Sequence, residues 1–239
     1  MTSRPVIPNR DRLIFAMDVP DADSARRLAG QLGDSVTFYK LGLELFMAGG
    51  YFELLDWAVG RGKKVFVDLK FFDVPATVAA AVRKLHNRGV ALTTVHGNQA
   101  IMEAAAAAKG DVKVLAVTVL TSLDRGDLDD LGFQCDVAKL VLSRARRALE
   151  AGCDGVVSSG LEAPMLRQFI DQRLIVVTPG IRPVENKPVD DQKRTVDVAQ
   201  AFANGADYIV VGRPIRDAAD PRAAAEAIQA TIEGVFNTR

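Results

Sequence analysis

Short apolar runs rich in β-branched residues alternate along this chain with longer stretches in which apolar positions recur every three or four residues. The short runs are Leu13–Met17, Val36–Leu41, Lys64–Leu69, Ala91–Val95, Val112–Val119, Gly155–Val157, Leu174–Val177 and Tyr208–Val211. None shows the polar alternation of a half-exposed strand, so each reads as a strand covered on both faces, as in a parallel sheet. The spacing between them predicts helices. The clearest follows Asp136, an N-cap residue type. It sets Val137, Leu140, Val141, Ala145, Ala148 and Leu149 on one face and Lys139, Arg144, Arg146 and Arg147 on the other. The run Ala104–Ala108 reads as plain helix. Gly89, Gly152 and Gly205 each stand just before a strand, where a left-handed glycine ends a helix.

Eight strand–helix units in 239 residues predict an α/β fold, a closed (β/α)8 TIM barrel forming one domain over residues 1–239. The alternative is an open doubly wound sheet, but no Gly-x-Gly-x-x-Gly follows the first strand. In a barrel the chemistry belongs at the C-terminal ends of the strands.

Composition narrows the class. Thirty Lys and Arg balance thirty Asp and Glu, so there is no basic excess for nucleic acid or an anionic membrane. No apolar run reaches the roughly 18 residues of a membrane span. The segment Met1–Arg10 is polar, with Pro5 and Pro8, and lacks the apolar core of a signal peptide. Cys135 and Cys153 are too few for a disulfide framework. A cytoplasmic protein with reduced thiols is expected.

Charge gathers at the strand ends: Asp18, Lys40, then Asp68-Leu69-Lys70-Phe71-Phe72-Asp73, with Thr121, Ser122, Ser158 and Ser159 further on, Arg182 after the seventh strand and Gly212-Arg213 after the eighth. Asp and Ser also cap helices, but capping does not explain a whole set at one mouth. Asp68 and Lys70, two apart on an extended chain, project to one face. Asp73 lies just beyond, before Pro75. Two carboxylates flanking one ammonium keep it charged. That disfavours a Schiff-base lysine, which must be neutral. It suits a fixed cation that stabilises and then protonates a carbanion. Gly212, Arg213 and Pro214 predict a phosphate site at a helix start, and Thr178–Arg194 predicts a polar lid beside it.

These residues carry a resemblance. Asp68-Leu69-Lys70-Phe71-Phe72-Asp73-Val74-Pro75-Ala76-Thr77 resembles the signature of the orotidine 5′-phosphate decarboxylases, the bacterial form most closely. Supporting segments are Phe15–Asp18, Tyr39–Gly42, Thr178–Pro183, Asp191-Gln192-Lys193-Arg194 and Val211–Pro214. The resemblance implies a homodimeric barrel that converts orotidine 5′-phosphate to UMP and CO2 in pyrimidine synthesis, without metal or organic cofactor. It implies Lys70 as proton donor, with Asp68, Asp73 and Lys40 completing its charge network. Asp73 and Thr77 would reach into the partner subunit's site. Asp18, Lys40 and Thr77 would contact the ribose, and Ser159, beside Ser158, the pyrimidine. Arg182, Gln192, Gly212 and Arg213 would hold the phosphate, with Thr121 nearby. Phe72 and Ala76 depart from the family's usual His and Asn, and His96-Gly97-Asn98-Gln99 departs from its usual small-residue stretch. The competing readings are a metal-dependent sugar-phosphate decarboxylase or synthase on the same barrel and a noncatalytic phosphate-ligand sensor.

Overall fold

A computed structural model describes residues 6–182 and 194–237. Eight parallel strands follow in order: β1 (Leu13–Ala16), β2 (Phe38–Gly42), β3 (Lys64–Phe71), β4 (Val90–Val95), β5 (Lys113–Val117), β6 (Gly155–Val157), β7 (Ile175–Thr178) and β8 (Tyr208–Val211). Each pairs with the next, and β8 pairs with β1, so the sheet is a closed barrel and not an open one. Helices return the chain along the outside.

The apolar runs are continuous because each strand has two faces to bury. Ile14, Ala16, Phe38, Phe66, Leu92, Leu115, Ile175, Val177, Tyr208 and Val210 form one cluster that plugs the barrel. The alternate positions, among them Phe15, Tyr39, Val65, Val67 and Val211 on one side and Val114, Ala116, Val156 and Val176 on the other, pack under the helices.

Several boundaries differ from the hydrophobic runs for local reasons. β2 starts at Phe38 because a 3-10 turn, Gly33–Ser35, precedes it and Lys63 Nζ takes the Val36 carbonyl (3.0 Å). β5 stops at Val117, and the carbonyls of Val119 and Leu120 accept from the Arg194 guanidinium at 3.0 and 2.9 Å. β3 continues past Leu69 to Phe71.

The helix Val137–Glu150 is capped by Asp136, which accepts from Lys139 N, and buries Leu140, Val141, Ala145 and Ala148. Arg144 leaves the solvent face assigned to it. It is half-buried, donates to the Thr118 carbonyl and stands over the Phe133 ring. Its long stem lets the guanidinium reach past the helix edge. Gly152 and Gly205 have φ of +84° and +106° and follow the C-cap residues Ala151 and Asn204. Their N–H groups bond to Leu149 and Phe202, and the next N–H groups reach back to Ala148 and Ala201, closing both helices as Schellman motifs. Gly89 instead ends a turn, residues 84–89, that follows the helix Pro75–Arg83.

At the base of the barrel, Arg167 and Asp207 form a buried ion pair (2.6 Å). Arg167 also donates to the Gly205 and Leu174 carbonyls, and Asp207 accepts from Val176 N. Both cysteines are free, and burial pushes the Cys153 thiol up to about 12. Among the described residues no helix is long and apolar enough to cross a membrane.

Leu115 sits in the barrel plug with no exposed surface. Leu115→Ala is expected to lower unfolding free energy by about 2–5 kcal/mol in urea titration; a loss below about 1 kcal/mol would mean that the plug is not close-packed.

Candidate active site

The alternation that fills the plug also builds the mouth. Two residues beyond Ala16, Phe38, Phe66, Leu92 and Val210 stand Asp18, Lys40, Asp68, Thr94 and Gly212. Lys40 Nζ lies 3.1 Å from Asp18 Oδ1 and 3.7 Å from Asp68 Oδ2, and Lys70 Nζ lies 3.0 Å from that same Asp68 oxygen. Thr94 donates to the other Asp68 oxygen (2.8 Å) and accepts the Lys70 backbone N–H (3.0 Å). Gly42 is the next inward position on β2. A Cβ there would sit 3.1 Å from Lys40 Nζ, so the bare backbone leaves room for the ammonium.

Asp68 and Lys70 do face each other, but not through simple strand alternation. Lys70 adopts a left-handed conformation, φ +49°. β3 pairs Val67 with Thr93 and Phe71 with Val95, so β3 spends two more residues than β4 over this stretch. The bulge turns Lys70 toward the barrel axis, and Thr94 pins its backbone. The expected flanking of Lys70 by two carboxylates is not formed within one chain. Asp73 is exposed and accepts from Val74 N (2.6 Å). The arrangement is instead one carboxylate, Asp68, between two ammoniums.

Burial disfavours the Asp68 charge, but Lys40, Lys70 and the Lys70 and Thr94 hydrogen bonds outweigh it and hold its pKa below the ordinary carboxylate value. Burial likewise opposes the Lys40 charge, and Asp68 and Asp18 outweigh it, so the Lys40 pKa is raised. Each charge therefore survives near neutrality because its neighbours do.

Above these groups opens a cavity of about 480 Å³. Asp18, Lys40, Asp68, Lys70, Thr121, Ser158, Arg182, Gly212 and Arg213 line it, together with Arg216. Five cationic side chains face two carboxylates there, so the mouth is positive although the chain is neutral overall. Arg213 opens a helix of a single turn, Arg213–Arg216. The helix starts where Gly212, Arg213 and Pro214 predict it, but one so short has little macrodipole, so the positive potential at this point comes mainly from the guanidiniums and the local N–H groups. Ser158, not Ser159, lines the cavity, and its buried hydroxyl has no hydrogen-bond partner among the described residues. Ser159 faces away: its hydroxyl accepts from Leu161 N and donates to the Arg194 carbonyl. Thr77, like Asp73, is exposed and is not part of the cavity. Gln192 and most of the expected lid lie outside the described residues.

Comparison with known proteins agrees with this geometry. The profile of the orotidine 5′-phosphate decarboxylase / HUMPS family matches residues 11–228. The chain belongs to this family.

Among family relatives, an orotidine 5′-phosphate decarboxylase of Methylococcus capsulatus is 70% identical over 230 residues, covering 96% of this chain and 95% of the relative. One from Xanthomonas campestris is 55% identical over 235 residues, covering 96% of each. The crystal structure of orotidine 5′-phosphate decarboxylase from Lactobacillus acidophilus superposes with a TM-score of 0.81 at 34% identity, covering 93% of this chain and 99% of that one. Two of the three segments expected to depart from the family's pattern, Phe72 and His96-Gly97-Asn98-Gln99, touch each other. The Phe72 and His96 rings meet edge-on at 5.7 Å, and Gly97 (φ +118°) lies so close that a Cβ there would be 2.8 Å from Phe72.

Thr94 and Arg216 are not marked by charge at a strand end, and of the serine pair after β6 the sequence favours Ser159 where the cavity is lined by Ser158. Thr94 had a weak signal, a hydroxyl inside an otherwise apolar run. Arg216 donates to the Asp18 carbonyl (2.7 Å) and is held by Asp217, which only the fold reveals.

The lowered Asp68 pKa fixes a pH signature. The folded carboxyl ionises below its unfolded value, so its contribution is complete above about pH 4 and is lost as pH falls through the folded pKa. The raised Lys40 pKa gives the opposite limb, lost only as pH rises beyond the ordinary lysine value of about 10.4. Asp68→Asn is expected to destabilise by about 3–5 kcal/mol at pH 7. The gap to wild type should narrow below about pH 4. A gap in urea titrations that stays constant from pH 7 to pH 3 would reject charge pairing as its origin.

Proposed function

We propose that this protein decarboxylates orotidine 5′-phosphate to UMP and CO2 for pyrimidine synthesis, without metal or organic cofactor. The observation that carries the reading is the cavity itself. A fixed ammonium, Lys70, stands beside Asp68 at one part of it, and Arg182 and Arg213 line another. A ligand with a phosphate and a separate reacting anionic carbon matches that pairing.

Loss of CO2 breaks the bond from C6 to the carboxyl carbon and leaves its electron pair in the ring plane. No conjugated sink exists for it, so the charge must be stabilised electrostatically. Lys70 supplies a cation at C6 and then the proton, becoming neutral until water restores it. Asp68 fixes that ammonium, and Lys40 and Thr94 fix Asp68. Asp18 and Lys40 meet the ribose, Ser158 the pyrimidine in place of Ser159, and Arg182, Gln192, Gly212 and Arg213 the phosphate, with Thr121 nearby.

Repulsion between Asp68 and the departing carboxylate is a smaller contribution. Two like charges about 4 Å apart at an effective dielectric near 20 interact by roughly 4 kcal/mol. That is about three decades of rate, whereas accelerations of up to about 17 decades are known. Stabilisation of the carbanion by Lys70 dominates, and phosphate contacts remote from C6 supply binding energy that orders the site.

The same reading makes the protein a homodimer, with Asp73 and Thr77 entering the partner's site. Their exposure supports it, as does the exposed apolar surface of Phe72 and Val74 beside them and of Leu43, Phe46 and Met47 after the adjacent β2. The reading places the enzyme in the cytoplasm, in keeping with two free thiols.

Purified protein is expected to consume orotidylate, followed by its absorbance, in the presence of a chelator. Lys70→Ala should abolish turnover and leave UMP affinity within a few-fold; normal turnover in that variant would remove Lys70 as proton donor. Chelator-sensitive turnover would favour a metal-dependent relative. Mixing inactive Lys70→Ala with inactive Asp73→Ala should restore up to about a quarter of wild-type activity through hybrid dimers. Absence of any recovery would place Asp73 outside a shared site.

A further inference from the structure

The charge chain leaves one strongly bound pair at the mouth without a role. Arg194 Nη1 lies 2.6 Å from Glu162 Oε1, with only 11% and 8% of the two side chains exposed. Neither residue lines the cavity. Arg194 nevertheless joins three of the connections that do. Its Nη2 donates to the carbonyls of Val119 and Leu120, and its backbone N–H to that of Thr121, all on the wall after β5. Its own carbonyl accepts from Ser159, in the turn after β6 that also carries cavity-facing Ser158 and Glu162. Two residues further on, Val196 forms a bridge with Ile181, and its carbonyl accepts the backbone N–H of Arg182 (3.0 Å). One guanidinium and the short segment after it thus fix the pyrimidine side and the phosphate side of the cavity relative to each other.

We infer that Arg194 and Glu162 are positioning residues that hold the connections after β5, β6 and β7 in the binding geometry before substrate arrives. The inference rests on the decarboxylase reading for its substrate. A cavity wall that is already ordered spares the ligand the entropy of ordering it, and that saving applies equally to ground state and transition state. The consequence is a specific kinetic split. Removing the clamp weakens binding, raising KM and the Kd of UMP, and leaves kcat nearly unchanged.

The fold contains its own control. Arg167–Asp207 is an equally short and equally buried pair at the opposite end of the barrel, bonded to the Gly205 and Leu174 carbonyls and remote from the cavity. Arg194→Met and Arg167→Met remove comparable charge pairs, so both are expected to lower Tm. Only Arg194→Met is expected to raise KM for orotidylate and Kd for UMP, by about tenfold or more, with kcat within about threefold of wild type. Arg194→Lys should recover part of the affinity, because one ammonium can reach Glu162 but cannot serve both carbonyls as well. If Arg194→Met does not fold, Glu162→Gln, which keeps the shape and removes the charge, is read by the same split.

Unchanged KM and Kd with a lowered Tm, as in Arg167→Met, would overturn the inference by making the pair purely structural. A fall in kcat with unchanged KM would overturn it too, by placing Arg194 in transition-state stabilisation. Wild-type turnover in the same assay tests the decarboxylase reading separately, and UMP affinity reports on the clamp without turnover.

Discussion

Four charges in alternating sign, Asp18, Lys40, Asp68 and Lys70, share the mouth of the barrel, each 3.0–3.7 Å from the next. Burial opposes the charge on each of the central two, Lys40 and Asp68, and the opposite charges beside them offset it. The chain is stable only as a unit, and this requirement explains features that otherwise look incidental. Gly42 is bare because Lys40 Nζ occupies the space a side chain would fill. Thr94 is polar within a buried strand because Asp68 has a second oxygen to satisfy and Lys70 a backbone N–H. Lys70 is left-handed because the bulge after Val67 is what brings its ammonium beside Asp68.

The apolar plug beneath has an electrostatic consequence. Phe66 and Val210 line the floor of the same cavity as Asp68 and Lys70. A low-dielectric floor strengthens every interaction made above it, and the fixed charges need no reorganisation when a carbanion forms. The cavity is positive while the protein as a whole is neutral, so attraction for an anionic ligand is local to the mouth and does not extend over the surface.

Two buried arginine–carboxylate pairs mark the two ends of the barrel. Arg167–Asp207 ties the segments that lead into β7 and β8, and Arg194–Glu162 ties those that leave β5, β6 and β7. Both guanidiniums also bind backbone carbonyls, as burial of so many donors requires. Their chemistry is alike, and their distance from the cavity separates scaffold from site.

The eight strands, their order and the helix limits at Asp136, Gly152 and Gly205 were legible in the sequence, because burial on two faces and left-handed caps depend on residue types a few positions apart. The charged strand ends were legible for the same reason: a period of two carries Asp18, Lys40 and Asp68 inward above Ala16, Phe38 and Phe66. Other contacts were decided only by the closed barrel. Asp68 lies between Lys40 and Lys70, Thr94 supports both ends of the β3 bulge, Ser158 and not Ser159 faces the cavity, and Arg144 turns inward to Thr118. Each depends on how a strand registers against a neighbour far away in sequence, or on how far a long side chain reaches across a turn. A one-residue change of register exchanges the faces of a strand, and nothing within the strand's own residues records that register.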